Sequence, residues 1–308
     1  MYWAIAGIVG GWLLSAVAST RETTGASGPL RQDSEGDWVF DNGHYALRFA
    51  RRHGYAGVEV RIGAGSGERL DQYWTPELTF APMCRMFDNV SLMDAAGGEI
   101  QGYLTMTNSL VTARATEAGG RPTLSLTGRL QRRSDGSAGG VQFDKTIEFH
   151  PGHYSATLTV CAPGGSEYRY ADVWFDINDD WCNLYTNSAG DRLRLRPGIA
   201  DSESAELSYR SMAQLDQGQG VWMSVAGPRE EIRVHIATPD ALAQFAHSGI
   251  TFFDGPTEEN PEADRHESHE CMAISIIAGV PSPVVMEPDS VTFTYEVHFV
   301  PKTSVPEA

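Results

Sequence analysis

The chain has 308 residues, of which 41% are hydrophobic and 20% charged, so it can bury a sizeable core and is not a disordered polymer. Its formal net charge of −17 argues against non-specific attraction to nucleic acid or to an anionic membrane surface. Lys145 and Lys302 are the only lysines, a bias that by itself points to no function.

From the N-terminus, Ile5–Val17 is almost wholly apolar, and Ala16-Val17-Ala18 has the small–x–small form of a signal-peptidase site. This predicts a signal peptide over residues 1–18 and a secreted or periplasmic protein. No Lys or Arg precedes the apolar run, which leaves an uncleaved N-terminal anchor as the alternative. Residues 19–36, rich in Ser, Gly, Thr and charge, read as a flexible linker, and residues 37–308 as a single domain. Export bears on Cys84, Cys161, Cys182 and Cys271. They contain no CxxC pair, so zinc spacing is absent. An even count in an oxidising compartment permits disulfides; Cys161–Cys182 with Cys84–Cys271 is the favoured pairing, and free thiols are the alternative.

The elements predicted next are short strands. Trp38–Phe40 precedes the turn Asp41-Asn42-Gly43, and His44–Phe49 alternates with Tyr45, Leu47 and Phe49 inward. Gly57–Ile62 alternates with Val58, Val60 and Ile62 inward. Gly63–Leu70 is glycine-rich but lacks the order of a nucleotide-binding loop. Strands are expected over Gln101–Thr107, Ser109–Thr116 and Thr123–Leu130. Asp144–His150 places Lys145, Ile147 and Phe149 on one face, and after Pro151-Gly152 comes Tyr154–Val160. Further strands are expected over Tyr209–Met212, Val221–Val225, Glu231–Ile236, Met272–Ile277 and Val291–Val300. One short helix is predicted over Ala241–His247, capped by Thr238, started by Pro239 and ended by Gly249. The sum is an all-β fold: a large antiparallel β-sandwich with one short helix.

The candidate ligand-binding stretch is Ala171–Asn183. Val173, Phe175 and Ile177 alternate with Asp172, Trp174 and Asp176, and Trp181 follows. Carboxylates beside flat rings suit a sugar, because rings stack on C–H faces and carboxylates accept hydroxyl protons. The same pattern also fits a half-buried strand ending in a polar turn. Asp176-x-Asn178-x-Asp180 offers oxygen ligands at the first positions of a calcium loop, but Trp181 stands where glycine is needed and Asn187 where glutamate is. An EF-hand is excluded, and an irregular Ca2+ site stays open as the one cofactor considered. Arg192, Arg194 and Arg196 share one face of a strand and could clamp uronate carboxylates, against the plainer reading of a solvated face.

Two histidine clusters complete the candidates. His150 and His153 flank a tight turn. His266-Glu267-Ser268-His269-Glu270 departs from the H-E-x-x-H spacing of zinc proteases, but could present His269 as a general base. Both also fit an exposed turn or loop. No protein metal site is assigned.

Asn42–Phe49, the turn after it and Gly57–Val60 resemble the opening hairpin of galactose-mutarotase-like β-supersandwich domains. Phe143–Val160 is similar to their central hairpin, and Glu287-Pro288-Asp289-Ser290 to the segment before their last long strand. The resemblance implies a supersandwich whose concave face binds carbohydrate. Its members include sugar epimerases, parts of polysaccharide lyases and glycosidases, and domains without catalysis. The epimerases' Asn-His segment is missing: Thr107-Asn108-Ser109 lacks the His, and Asp172–Asn183 has none. Epimerase chemistry is therefore not carried over.

The expectation is an exported protein that binds a carbohydrate or polysaccharide, not nucleic acid. A catalytic version would perform β-elimination on a uronate polymer, with Arg194 neutralising the carboxylate, His269 or His153 as base, and Tyr168 or Tyr170 as acid. Asp172, Trp174, Asp176, Trp181, Arg192 and Arg196 would contact the ligand. The alternatives are a non-catalytic cell-envelope domain and an epimerase-like protein without the usual histidine. The pattern fixes no oligomeric state.

Overall fold

The computed structural model describes residues 28–63, 68–69, 87–94, 103–105, 110–132, 138–162, 167–178, 184–187, 192–194, 222–226, 230–236, 247–253, 269–278, 284–285 and 290–301. The described residues are almost entirely β, as predicted, and every strand pair is antiparallel.

Two layers can be followed through the pairings. The first runs β1 (Leu30–Gln32), β2 (Trp38–Asp41), β3 (Tyr45–Ala50), β4 (Ala56–Ile62), β6 (Phe87–Asp94), β12 (Glu167–Asn178), β18 (His269–Ala278) and β17 (His247–Phe253). The second runs β8 (Val111–Ala118), β9 (Arg121–Arg132), β10 (Ala138–Phe149), β11 (His153–Cys161), β20 (Ser290–Pro301), β16 (Glu230–Ile236), β15 (Trp222–Ala226), β13 (Leu184–Asn187) and β14 (Arg192–Arg194). The short β5 (Glu68–Arg69) pairs with β4 and β19 (Val284–Val285) with β12, while β7 (Tyr103–Thr105) bridges β6 and β9.

The layers face one another across a core set by period-2 alternation. Leu47, Phe49, Val60, Val90, Val173 and Phe175 come from the first layer. Leu126, Phe143, Ile147, Leu158, Val234 and Val297 are among those from the second. Rings meet across the gap: Phe40 stacks on Phe149 at 4.2 Å, Tyr45 on Phe299 at 4.4 Å, and Phe175 meets Tyr295 edge-on at 5.8 Å. The inward faces predicted for β3, β4, β10 and β11 are the buried ones.

One inward position breaks the apolar rule. Lys145 is buried between Phe143 and Ile147 on β10, and its Nζ lies 2.7 Å from Asp88 Oδ1 on β6. The ammonium also donates to the Asp88 carbonyl at 2.8 Å, and the Tyr295 hydroxyl donates to the carboxylate. Asp88 is the extra residue of a β-bulge: Asn89 pairs with Trp174 and Phe87 with Phe175, leaving Asp88 at φ 58. A buried ion pair and a left-handed residue thus tie the two layers together.

At Gly119 and Gly120 the β8–β9 hairpin turns with φ of 61 and 80, a conformation that favours glycine. Gly128 serves a different need: a Cβ there would lie 2.9 Å from Val111 Cα and closer still to the Leu110 carbonyl oxygen, so β8 could not approach β9 as it does.

The structure differs from expectation in two places. The predicted helix over Ala241–His247 fails at its end. His247, Ser248 and Gly249 belong to β17, with Gly249 opposite Ala273 of β18; residues 237–246 lie outside the described residues. The β-branched and aromatic run Ile250-Thr251-Phe252-Phe253 and its ladder with β18 outweigh the capping signals. Among the described residues the only helix is the single 3-10 turn Arg51–His53. The end of the predicted linker, Leu30–Gln32, is β1, paired with Trp38–Phe40. The N-terminal residues 1–18, and Tyr209–Met212, fall outside the described residues. No helix among the described residues is long and apolar enough to cross a membrane.

Candidate functional site

The same strands that bury Tyr154, Tyr295 and Val297 turn His153, Glu296 and His298 to the other face of the second layer. Pairing then assembles residues distant in sequence. His153 of β11 lies directly opposite His298 of β20, and Glu296 lies opposite His235 of β16 on its other side. His150, across the Pro151-Gly152 turn, completes the group.

The rings are ordered. His150 stacks on His153 at 4.4 Å with planes 6° apart, and His153 on His298 at 4.7 Å and 18°. His150 Nε2 is 3.1 Å from Ser155 Oγ. Glu296 Oε2 is shared, 2.9 Å from His298 Nε2 and 3.9 Å from His235 Nδ1. Beside them the Arg233 guanidinium lies 4.6 Å over the Trp222 ring and 2.8 Å from Glu231. The face continues along β11 and β20 as hydroxyl pairs, Thr157 with Thr294 at 3.1 Å and Thr159 with Thr292 at 2.7 Å.

The turn that carries the histidines is pinned from both layers. Asn42 Nδ2 donates to the carbonyls of His150 (3.3 Å) and Pro151 (3.0 Å), Tyr45 Oη donates to the His153 carbonyl (2.7 Å), and the Phe299 amide donates to Gly152 (3.0 Å). The DNG turn after β2 therefore holds the site's backbone, and the imidazoles stay half-buried yet open to solvent.

Burial, then the neighbouring imidazoles His150 and His298, push the pKa of His153 below the usual histidine value, and Glu296 only partly offsets this. Burial alone would raise Glu296. The hydrogen bond from His298 and the charges of the surrounding imidazoles outweigh it and bring the carboxyl below its ordinary value. His153 therefore offers an unprotonated ring nitrogen at neutral pH. Near-parallel rings do not aim their nitrogens at a common point, and among the described residues no cluster of three or more His, Cys, Asp or Glu is arranged to hold a metal ion.

The other candidates from the sequence lie elsewhere. Asp172, Trp174 and Asp176 are in β12 of the first layer. His269 pairs with Asn178 at one end of β12, while Tyr168 and Tyr170 sit at the other. Eight residues of strand separate Tyr170 from the His269 level, about 26 Å. Arg192 and Arg194 form the outermost strand of the second layer, β14. Five strand spacings separate β14 from His153, about 24 Å. Arg194 is thus not brought to His153, and neither tyrosine is brought to His269. Arg196 and Trp181 lie outside the described residues, as do Cys84, Cys182, Asp180 and His266. Cys161, at the end of β11, is a free cysteine, and Cys271 faces Asp176 in the β12–β18 pairing.

His153 was legible from its turn. No local pattern in the sequence marks His298, Glu296, His235, Arg233 or Trp222 as site residues. Alternation predicts which face each occupies, but their convergence needs the pairings β11–β20 and β16–β20.

No protein-family model matches the chain, and no curated protein matches it in sequence. Solved structures do. A heparan sulfate lyase HepC mutant from Pedobacter heparinus matches with a TM-score of 0.50 at 8% identity, over 92% of this chain and 38% of the lyase. The galactose 1-epimerase from Lactobacillus acidophilus NCFM matches with a TM-score of 0.47 at 9% identity, over 87% of this chain and 95% of that one. A putative aldose 1-epimerase from Escherichia coli K12 gives 0.45 at 10% identity, over 86% and 99%. At 8% identity the likeness to the lyase concerns the fold alone.

Proposed function

We propose that the chain is an exported carbohydrate-binding protein, and that its ligand surface is the outer face of β11, β20 and β16 around the stacked histidines. The observation that carries this is the half-buried row His150, His153 and His298 beside Glu296, Arg233 and Trp222. Imidazole and carboxylate exchange hydrogen bonds with sugar hydroxyls, and the threonine pairs extend the polar face. The fold likeness to a heparan sulfate lyase agrees with a saccharide ligand.

A catalytic version has one specific support: the lowered pKa of His153 supplies a base at neutral pH. In β-elimination it would take the C5 proton next to the uronate carboxyl as the C4–O bond breaks and the C4=C5 double bond forms, the leaving oxygen taking a proton from solvent, and Arg233 would replace Arg194 as the nearby cation. Titration calorimetry against soluble neutral and uronate-bearing polysaccharides tests the binding reading, with Trp222→Ala and His298→Gln expected to weaken affinity. Absence of binding across the panel overturns it. Ultraviolet absorbance from a new double bond, lost in His153→Gln, separates elimination from binding alone.

A further inference from the structure

We infer that the stacked histidines form an acid-activated site for an oxyanion, a sulfate or carboxylate group carried by an acidic saccharide. The saccharide rests on the functional reading above; the oxyanion site rests on the geometry of the cluster.

His153 lies between His150 at 4.4 Å and His298 at 4.7 Å, so protonating the row brings like charges into ring contact. Glu296 is the carboxylate in hydrogen-bond contact with it, and Glu296 bonds His298 while also facing His235. Around the row, Arg121 of β9 pairs with Glu148 of β10 at 3.5 Å, and Arg233 of β16 pairs with Glu231 at 2.8 Å. On the turn docked below, Asp41 is paired with Arg61, and His44 is exposed.

Two consequences follow. With neutral imidazoles, Arg121 and Arg233 face the carboxylates Glu148, Glu231 and Glu296, each guanidinium already engaged. With His150, His153, His235 and His298 protonated, six cations face three carboxylates, and the imidazolium charges outnumber the one carboxylate they can reach. A chain of net charge −17 then carries a local cationic patch whose donors lack an acceptor. An oxyanion supplies the missing charge and accepts the freed N–H groups. His153 resists its proton because it is half-buried beside other imidazoles, so a bound anion acts most strongly on that ring.

The test uses inorganic sulfate and glucuronate with the full chain at about pH 5 and about pH 7.5, read by calorimetry and by ring-proton NMR titration of the histidines. The expected result is sulfate affinity at least about tenfold higher at the acid pH, with the His153 titration moved upward by sulfate. His153→Gln and, separately, His298→Gln abolish the pH dependence while keeping the wild-type melting temperature at about pH 7.5. Equal affinity at both pH values, or pH-dependent binding unchanged in both variants, overturns the inference. Sulfate binding with no saccharide bound at either pH would keep the oxyanion site and overturn the carbohydrate reading. Saccharide binding indifferent to pH and to both variants would overturn the oxyanion site and leave a carbohydrate-binding protein whose ligand surface lies elsewhere. Glucuronate binding as strong as sulfate assigns the carboxylate as the group read; sulfate binding without it assigns the sulfate ester.

Discussion

Strands β11 and β20 carry two ionisable networks, one on each face. Inward, Tyr154 and Tyr295 stand with Lys145 and Asp88 in the fully buried core. Outward, one residue along each strand, His153 and Glu296 stand with His298 and His235 at the surface. The inner ion pair is shielded from solvent, and burial raises both tyrosines well above their ordinary range. Burial lowers the Lys145 pKa, and Asp88 opposes that shift by contact and hydrogen bond. On the outer face, partial burial and the neighbouring imidazoles hold His153 below the usual histidine value, and His298 holds Glu296 below the usual carboxylate value. Burial thus separates a network suited to holding two sheets together from one suited to answering a ligand.

The largest effect should come from breaking the inner pair. Lys145→Met leaves the Asp88 charge buried without a counter-ion, and a loss of about 3–5 kcal/mol is expected in chemical denaturation. A cost under about 1 kcal/mol would mean that the pair does not tie the layers. Next comes a contrast between the two tyrosines. Tyr295→Phe removes a donor to the Asp88 carboxylate and should cost about 1.5–3 kcal/mol. Tyr154 Oη neighbours the Asp88 carboxylate but forms no well-directed hydrogen bond with it, so Tyr154→Phe should cost less than Tyr295→Phe, about 1 kcal/mol or under. Equal costs would show that Tyr154 is a member of the network.

The smallest effect belongs to the outer face. His153→Gln should shift stability at about pH 7.5 by no more than about 0.5 kcal/mol. Its effect appears on acidification. Because the folded chain holds the His153 pKa down, the unfolded chain binds that proton first. Stability therefore falls as pH drops through the unfolded value near 6.5. The variant should flatten that slope in a pH series of denaturation curves. Glu296 acts in a lower window: its depressed pKa gives stability above the unfolded value of 4.5, lost as pH falls through the folded value. A slope below pH 6.5 unchanged by His153→Gln would detach the acid response from the stack.

Alternation made most of the core legible. Tyr45, Leu47, Phe49, Val58, Val60, Ile147, Phe149 and Leu158 all point inward as their spacing predicts, because a strand with one buried face has a fixed register. Lys145 carried a signal too, a lone charge among inward apolar positions, but its partner on β6 has no local mark. The outer site was half legible for the same reason. His153 sits in a recognisable Pro-Gly turn, whereas Glu296 and His298 reach it through a pairing across some 140 residues. The β17 strand was hidden by genuine capping residues upstream, since Thr238 and Pro239 favour a helix and the competing ladder is non-local.

The most direct test of the outer face as the ligand surface is calorimetric titration of a soluble acidic polysaccharide at about pH 5. It would be run into the wild-type chain and into a His153→Gln/His298→Gln double variant. The account predicts binding by the wild type and its loss in a double variant whose melting temperature at about pH 7.5 is unchanged. Undiminished binding by that folded variant would contradict it.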